Sequence, residues 1–362
     1  MALGAKANSE SLIIDSWIRS GKPVLTQLKK HTTLTLLFGK PDTKMTQDAY
    51  LEKVMPKVSF SNVEKLKLDG RYFVFPYARD LTAGASVSRG AGMLAVRTPV
   101  STDPFDALRF QSAYYAINYD IPSDKIDEMK GAQFALGGSF ASNAADAIMR
   151  DYLNQDAVAI WATGANKMPA DGVVGSIRAQ VSNGLPAGAG QTNETPYSNF
   201  LGFDRTAASD FRSNYQYQGG GAVTAVNIET AGDLAYANGA TDLVVPMTAA
   251  RFRKLENDFR GTYGTNSLKV NENLLSMGIG SGFQFMIGGI TCYIDYDLPT
   301  STWLTALDLP SIAAGSDYAN VTTTMTENTS TVSSQVLKGR FKRQVCVVDP
   351  RKCTLIENLE TL

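Results

Sequence analysis

A single histidine, His31, stands in the 362-residue chain, in a segment that reads as an N-terminal arm. Its isolation counts against most acid–base and metal designs built on imidazole. Ser139, in Gly137-Gly138-Ser139-Phe140-Ala141, has the small neighbours of a nucleophile elbow. It falls in helical sequence, however, and the histidine that would serve as its base lies in the arm, so a hydrolase is not expected. Gly278-Ile279-Gly280-Ser281-Gly282 has the glycine density of a phosphate loop. Phe283 occupies the third glycine position and no Lys-Ser/Thr pair follows, so it reads as a flexible loop. Asp295-Tyr296-Asp297 offers two carboxylates to calcium, too few without more oxygen ligands, and reads as a turn after a strand. Cys292, Cys346 and Cys353 lack CxxC spacing and read as buried free thiols. Cys346 and Cys353 flank a turn, with the geometry to face each other across a hairpin. A reducing compartment would keep them reduced. No catalytic residue, metal or cofactor emerges, and the expectation is a non-enzyme.

Composition sets the outer bounds. Lysine plus arginine total 34 against 35 aspartates and glutamates, so no bulk basic character argues for tight duplex binding. The length suggests about two domains, enough to bury a real core. Locally, Lys6, Arg19, Lys22, Lys29, Lys30, Lys40 and Lys44 outnumber Glu10, Asp15 and Asp42. That asymmetry suits a solvated tail, or an inward arm meeting nucleic acid or an acidic scaffold. The longest early apolar run, Leu34–Phe38, is far too short to span a bilayer. The N-terminus lacks a signal-peptide core, so folding in a cytoplasm is expected. Without a secretion signal, the glycosylation patterns at Asn193, Asn320 and Asn328 carry little weight.

The elements that must position any site begin with the arm, where Ser11–Arg19 and Thr46–Met55 fit short helices. Arg71–Tyr77 is strand sequence, with Pro76 marking an edge. A tip rich in small residues, Arg79–Gly92, leads to a returning strand, Met93–Val100. Ala107–Tyr119 alternates as one long strand. A helix follows from Pro122 and Ser123, with a break at Gly137-Gly138, and ends near Trp161. Ala141, Ala145, Ile148, Met149 and Tyr152 lie on its buried stripe, with Ala144 and Leu153. A continuous Gly138–Thr163 would span roughly 40 Å, a spine suited to an elongated tile. From Ala165 turn signals multiply. A second unit then carries helices at Ile228–Ala237 and Thr248–Phe259 and a buried strand at Asp242–Pro246. A hairpin over Gly282–Ile294 turns at Gly288-Gly289, and Thr302–Leu307 is a further strand. Ser316–Ser334 reads as a loop or edge ribbon. The last strands, Gln335–Val348 and Thr354–Glu357, join through Asp349-Pro350 and are expected to return to the first domain. The hairpin after Lys65 is too thin to bury itself, since two strands alone are marginal in water and leave bare edges. A neighbouring subunit would complete it.

This order of elements resembles the major capsid proteins of tailed bacteriophages, the Johnson fold also seen in encapsulin shells. The resemblance is carried by Gly70-Arg71-Tyr72-Phe73-Val74-Phe75-Pro76, by Phe110–Asp120, and by the helix ending at Ile160-Trp161. Further along it is carried by Ile287-Gly288-Gly289-Ile290-Thr291-Cys292, Asp295, Leu298-Pro299, Val347-Val348-Asp349-Pro350 and Ile356-Glu357-Asn358-Leu359. It implies an α+β fold with an N-terminal arm over 1–65 and an extended hairpin loop over 66–106. A peripheral domain with its spine helix would take 107–164 and 335–362, and an axial domain 165–334. It also implies a homo-oligomer of hexamers and pentamers, closed as an icosahedral shell around double-stranded DNA, with separate scaffold and portal proteins and no membrane. The protein would be a virion capsid subunit assembled in the host cytoplasm. Arg79, Asp80, Arg89 and Arg97 are the expected contacts between subunits. Some members lock their shells through an extended-loop lysine, but Arg79–Gly92 holds none, so non-covalent locking is expected. The rivals are an encapsulin-like compartment, and a monomeric enzyme or carbohydrate-binding β-protein.

Overall fold

The structure is a computed structural model that describes residues 31–38, 72–78, 105–111, 113–122, 154–170, 172–207, 209–263, 284–317, 324–328 and 334–361. Its largest sheet has six strands in the order β6-β14-β10-β7-β9-β8. Here β6 is Asn214–Tyr217, β7 Leu243–Met247, β8 Gln284–Ile287, β9 Ile290–Ile294, β10 Leu304–Asp308 and β14 Thr354–Glu357. The four inner strands are buried at every position. Runs such as Leu243-Val244-Val245 and Ile290-Thr291-Cys292 are what a sheet covered on both faces requires. Pro246 is tolerated in β7 because β10 pairs only with Leu243 and Val244, leaving that flank open further along. Gly288 and Gly289 turn the β8–β9 hairpin at φ 55° and 87°, the left-handed backbone that a two-residue hairpin turn demands.

Helix α3 (Ala225–Ala237) packs on this sheet. Its buried face is Ile228, Ala231, Gly232 and Ala235, one helical stripe. Thr224 caps it, accepting from the Asn227 amide while the Asn227 side chain accepts from Thr224 N–H. A Cβ on Gly232 would stand 2.2 Å from Cδ1 of Ile290, so the small residue sets the helix–sheet spacing. Helix α4 (Ala249–Tyr263) brings Phe252 to a ring-centroid distance of 4.7 Å from Phe285.

A second sheet is organised by β13 (Ser334–Val347). Strand β3 (Ala113–Pro122) runs along one edge, Ala113 opposite Arg343 and Pro122 opposite Ser334. The other edge is shared by β12 (Thr324–Asn328) and β11 (Ile312–Asp317). Separately, β1 (Tyr72–Ala78) and β2 (Phe105–Gln111) form a two-stranded ribbon that, among the described residues, joins neither larger sheet. The short strands β4 (Asn199–Phe200) and β5 (Phe203–Asp204) pair, among the described residues, only with each other. The described segments share one main core that runs from Leu34 and Trp161 through the six-stranded sheet to Val345.

Four expectations change. The long strand Ala107–Tyr119 is two strands separated at position 112, because β2 serves the ribbon and β3 the β13 sheet. The ladder of β1 is therefore to β2, with Tyr72 opposite Gln111, while Met93–Val100 lies outside the described residues. Alternation reports the pleat but not the partner, so the division was hidden. In keeping with an arm of short helical pieces, Thr32–Phe38 forms helix α1, whose Leu34 and Leu37 are buried. Lastly, β13 returns to the early chain but β14 does not; it lies between β6 and β10 in the six-stranded sheet. Cys346 and Cys353 therefore belong to different layers and do not face each other across a hairpin. All three cysteines are free and buried.

Candidate functional site

Two buried polar clusters tie distant segments together. The first centres on Asp295, at the end of β9. Its Oδ2 accepts from Trp161 Nε1–H at 2.9 Å and from the Thr33 hydroxyl. Its Oδ1 accepts from the backbone N–H of Asp297 at 2.9 Å. Since the Thr33 proton goes to Asp295, Tyr293 must donate its own hydroxyl proton to Thr33 Oγ1, 2.8 Å away. His31 Nδ1 meets Asp297 Oδ2 at 2.7 Å. Burial pushes the Asp295 pKa up, against the lowering pull of Thr33, the Asp297 amide and Trp161. Burial also drives the Tyr293 phenol well above its usual range. The paired aspartates of this turn thus act as acceptors for protein donors. His31 is buried in the fold rather than carried on a solvated arm.

The second cluster centres on Arg178 in the short helix α2 (Ile177–Gln180). Its guanidinium grips Glu194 with two bonds, of 3.1 and 2.8 Å, and also donates to Glu357 Oε1 on β14. Tyr197 and Trp303 lie against it, with ring centroids at 5.0 and 5.4 Å. Burial works to lower the Arg178 pKa, but Glu194 and Glu357 outweigh it and leave it raised. Two further buried arginines collect backbone carbonyls. Arg205 binds those of Ala179, Gln180 and Tyr197. Arg251 binds those of Ser301, Trp303 and Glu360, at 2.7, 3.1 and 2.8 Å. Each fixes loops that no strand ladder holds.

These clusters hold structure in place. Among the described residues no group of three or more His, Cys, Asp or Glu is arranged to hold a metal ion. No described helix is long and apolar enough to cross a membrane. Arg79, Asp80, Arg89 and Arg97 lie outside the described residues. So do Ser139, Gly278–Gly282 and the stripe of Ala141, Ala145, Ile148, Met149 and Tyr152. What is described of that helix is its end, helical over 154–159, followed by the buried Trp161. Sequence reasoning missed both clusters. The sole signal was charge within small or apolar runs, as in Ile177-Arg178-Ala179, which does not reveal a partner as far off as Glu357, 179 positions along the chain.

No protein-family model matches the chain. None of the curated proteins matches it either. Solved structures do. A chain of the "Cyanophage A-1(L) capsid asymmetric unit" superposes with a TM-score of 0.54 at 14% identity, over 80% of this chain and 88% of that one. The chain has the Johnson capsid fold. A chain of a native GTA particle capsid follows at TM-score 0.46 and 11% identity, covering 79% of this chain and 84% of that one. The SrpI encapsulin of Synechococcus elongatus PCC 7942 gives 0.45 at 5% identity, covering 92% and 96%. The cyanophage match alone carries the assignment. In this capsid fold Asp295 and Trp161 hold the end of the helix at 154–159 against the six-stranded sheet.

Proposed function

We propose that the chain is a major capsid protein, the repeating subunit of an icosahedral shell built from hexamers and pentamers around double-stranded DNA. The reading is carried by one observation, the capsid fold shared with a cyanophage capsid chain over 80% of this chain. The β1–β2 ribbon supports it: among the described residues it pairs with no other strand, two strands alone are marginal, and open edges invite a neighbour. The subunit does no chemistry; its buried arginines and aspartates make it a rigid tile.

Within that reading, residues 1–65 form the arm, 66–106 the extended loop, 107–164 with strand β13 the peripheral domain, and 165–334 with strand β14 the axial domain. Arg79, Asp80, Arg89 and Arg97 contact neighbouring subunits, and Ala141, Ala145, Ile148, Met149 and Tyr152 pack the spine helix. An exposed ion pair contributes about 0–1 kcal/mol, but a shell repeats each one many times. Scaffold and portal proteins are separate chains, and assembly takes place in the host cytoplasm before the virion is complete.

Particles isolated from the native host test the reading. Nuclease-protected double-stranded DNA inside them supports a virion, a single enriched enzyme inside supports an encapsulin-like compartment, and elution as a monomer rejects both. Denaturing mass spectrometry should give one species near 39.0 kDa; a ladder of linked subunits would show covalent locking instead.

A further inference from the structure

Glu357 and Glu194 share one arginine. Arg178 holds Glu194 with two bonds and reaches Glu357 with a single Nη2–H. Glu194 is the better compensated of the two carboxylates. It also accepts from the Ser182 hydroxyl, and the charge of buried Arg205 reaches it. Among the described residues the donors to Glu357 are the shared arginine and the Tyr215 hydroxyl, which reaches its Oε2 at 3.3 Å, while the Glu194 carboxylate lies within hydrogen-bond reach of it. Tyr215 is itself bound by the backbone N–H of Thr192 at 2.8 Å and lies 3.0 Å from the Thr192 hydroxyl. The ionisable groups around the pair are thus Arg178 on α2, Glu194 and Tyr197 in the loop after it, Arg205 in the turn just after β5 and Tyr215 on β6. Around Glu357 itself, two negative charges compete for one positive charge away from water.

We propose that this cluster is a proton-operated clasp holding the 182–198 loop and edge strand β6 against β14. With a proton on Glu357 the group carries one anion and one cation, and the clasp is shut. When the proton leaves, a second buried anion remains with half a partner, and the loop and β6 open more often. Burial, then the neighbouring Glu194 charge, raise the Glu357 pKa from 4.5 to about 7, against the pull of Arg178. The sign follows from that direction. The folded state holds the proton more tightly than the opened state, so stability is greatest below pH 4.5 and declines until pH passes about 7. The clasp does not rest on the shell reading, since it closes within one chain.

Hydrogen exchange of the full-length protein, corrected for intrinsic rates, measures the opening directly. Between pH 5.5 and pH 8 the opening equilibrium of peptides covering 182–198 and 214–218 should grow roughly thirty-fold, the linkage of one proton over this interval. Glu357→Gln, which cannot ionise, should remove the pH dependence. Should that variant fail to fold, Tyr215→Phe serves instead. It deletes a donor to the ionised form and so raises the folded-state pKa further; the rise in opening should start at the same pH but continue to higher pH before levelling off. Protection independent of pH in the natural protein, or a slope unchanged in either variant, overturns the proposal.

Discussion

Trp161 donates its indole N–H to Oδ2 of Asp295 at 2.9 Å, in a buried contact between residues 134 positions apart. The contact pins the end of the helix at 154–159 to the end of β9. The same oxygen takes the Thr33 hydroxyl, so three segments of chain converge on one carboxylate. A buried carboxylate is costly without donors, and each donor lost leaves the rest of that cost exposed.

Trp161→Phe keeps an aromatic ring but deletes the N–H together with part of the buried indole. It should lower stability by at least about 1–3 kcal/mol, the usual cost of leaving a buried acceptor short of one bond, to which the cavity adds. The urea midpoint measures this. A midpoint equal to that of the natural protein would mean that the bond to Asp295 contributes nothing.

Thr33→Val removes the hydroxyl that serves both Asp295 and Tyr293, at nearly constant volume. Exchange over residues 31–38 should speed up markedly, while Thr33→Ser, which retains the hydroxyl, should stay near the natural rate. Equal rates in both variants would show that α1 is held by Leu34 and Leu37 alone.

Gly175→Ala should destabilise more than its single methyl suggests. An added Cβ would stand 2.3 Å from the Val345 carbonyl oxygen and 2.7 Å from Gln180 Nε2. The backbone of β13 must then move, at a cost of about 1–3 kcal/mol. The bonds from Gln180 Nε2–H to Val345 O and from Gly175 N–H to Gln344 Oε1 should weaken with it. An unchanged thermal midpoint would contradict this account of how the 173–180 segment docks.

Elements with a local cause could be read from sequence. The α3 helix announces itself through Ile228, Ala231 and Ala235, and the β8–β9 turn through Gly288-Gly289. The strand at Asp242–Pro246 appears within a residue of its place because a strand buried on both faces needs an unbroken apolar run. Long-range features stayed hidden for a physical reason. Thr33, Trp161 and Asp295 are ordinary residues in their own neighbourhoods, and their meaning arises only where the chain brings them together. Strand β14 reads identically whether it pairs with β3 or with β10. The capsid architecture was legible because it is an order of elements, which sequence preserves. The clasp at Arg178 was not, because it is a set of contacts.

Cys292, Cys346 and Cys353 should resist alkylation in the folded protein. Each is fully buried, and burial raises every thiol pKa, that of Cys353 to about 12. Thiolate, the reactive form, is therefore scarce as well as shielded. Mass spectrometry after iodoacetamide at pH 8 should show no adduct on native protein and three after denaturation, one per cysteine of the chain. Labelling of native protein would show that one of these layers opens.

Negative-stain electron microscopy of the purified full-length protein bears most directly on the shell itself. Closed, hollow particles of uniform diameter are predicted, with the β1–β2 ribbon of each copy covered by a neighbour. A homogeneous population of single 39.0 kDa molecules, stable at high concentration and never closing into shells, would contradict it.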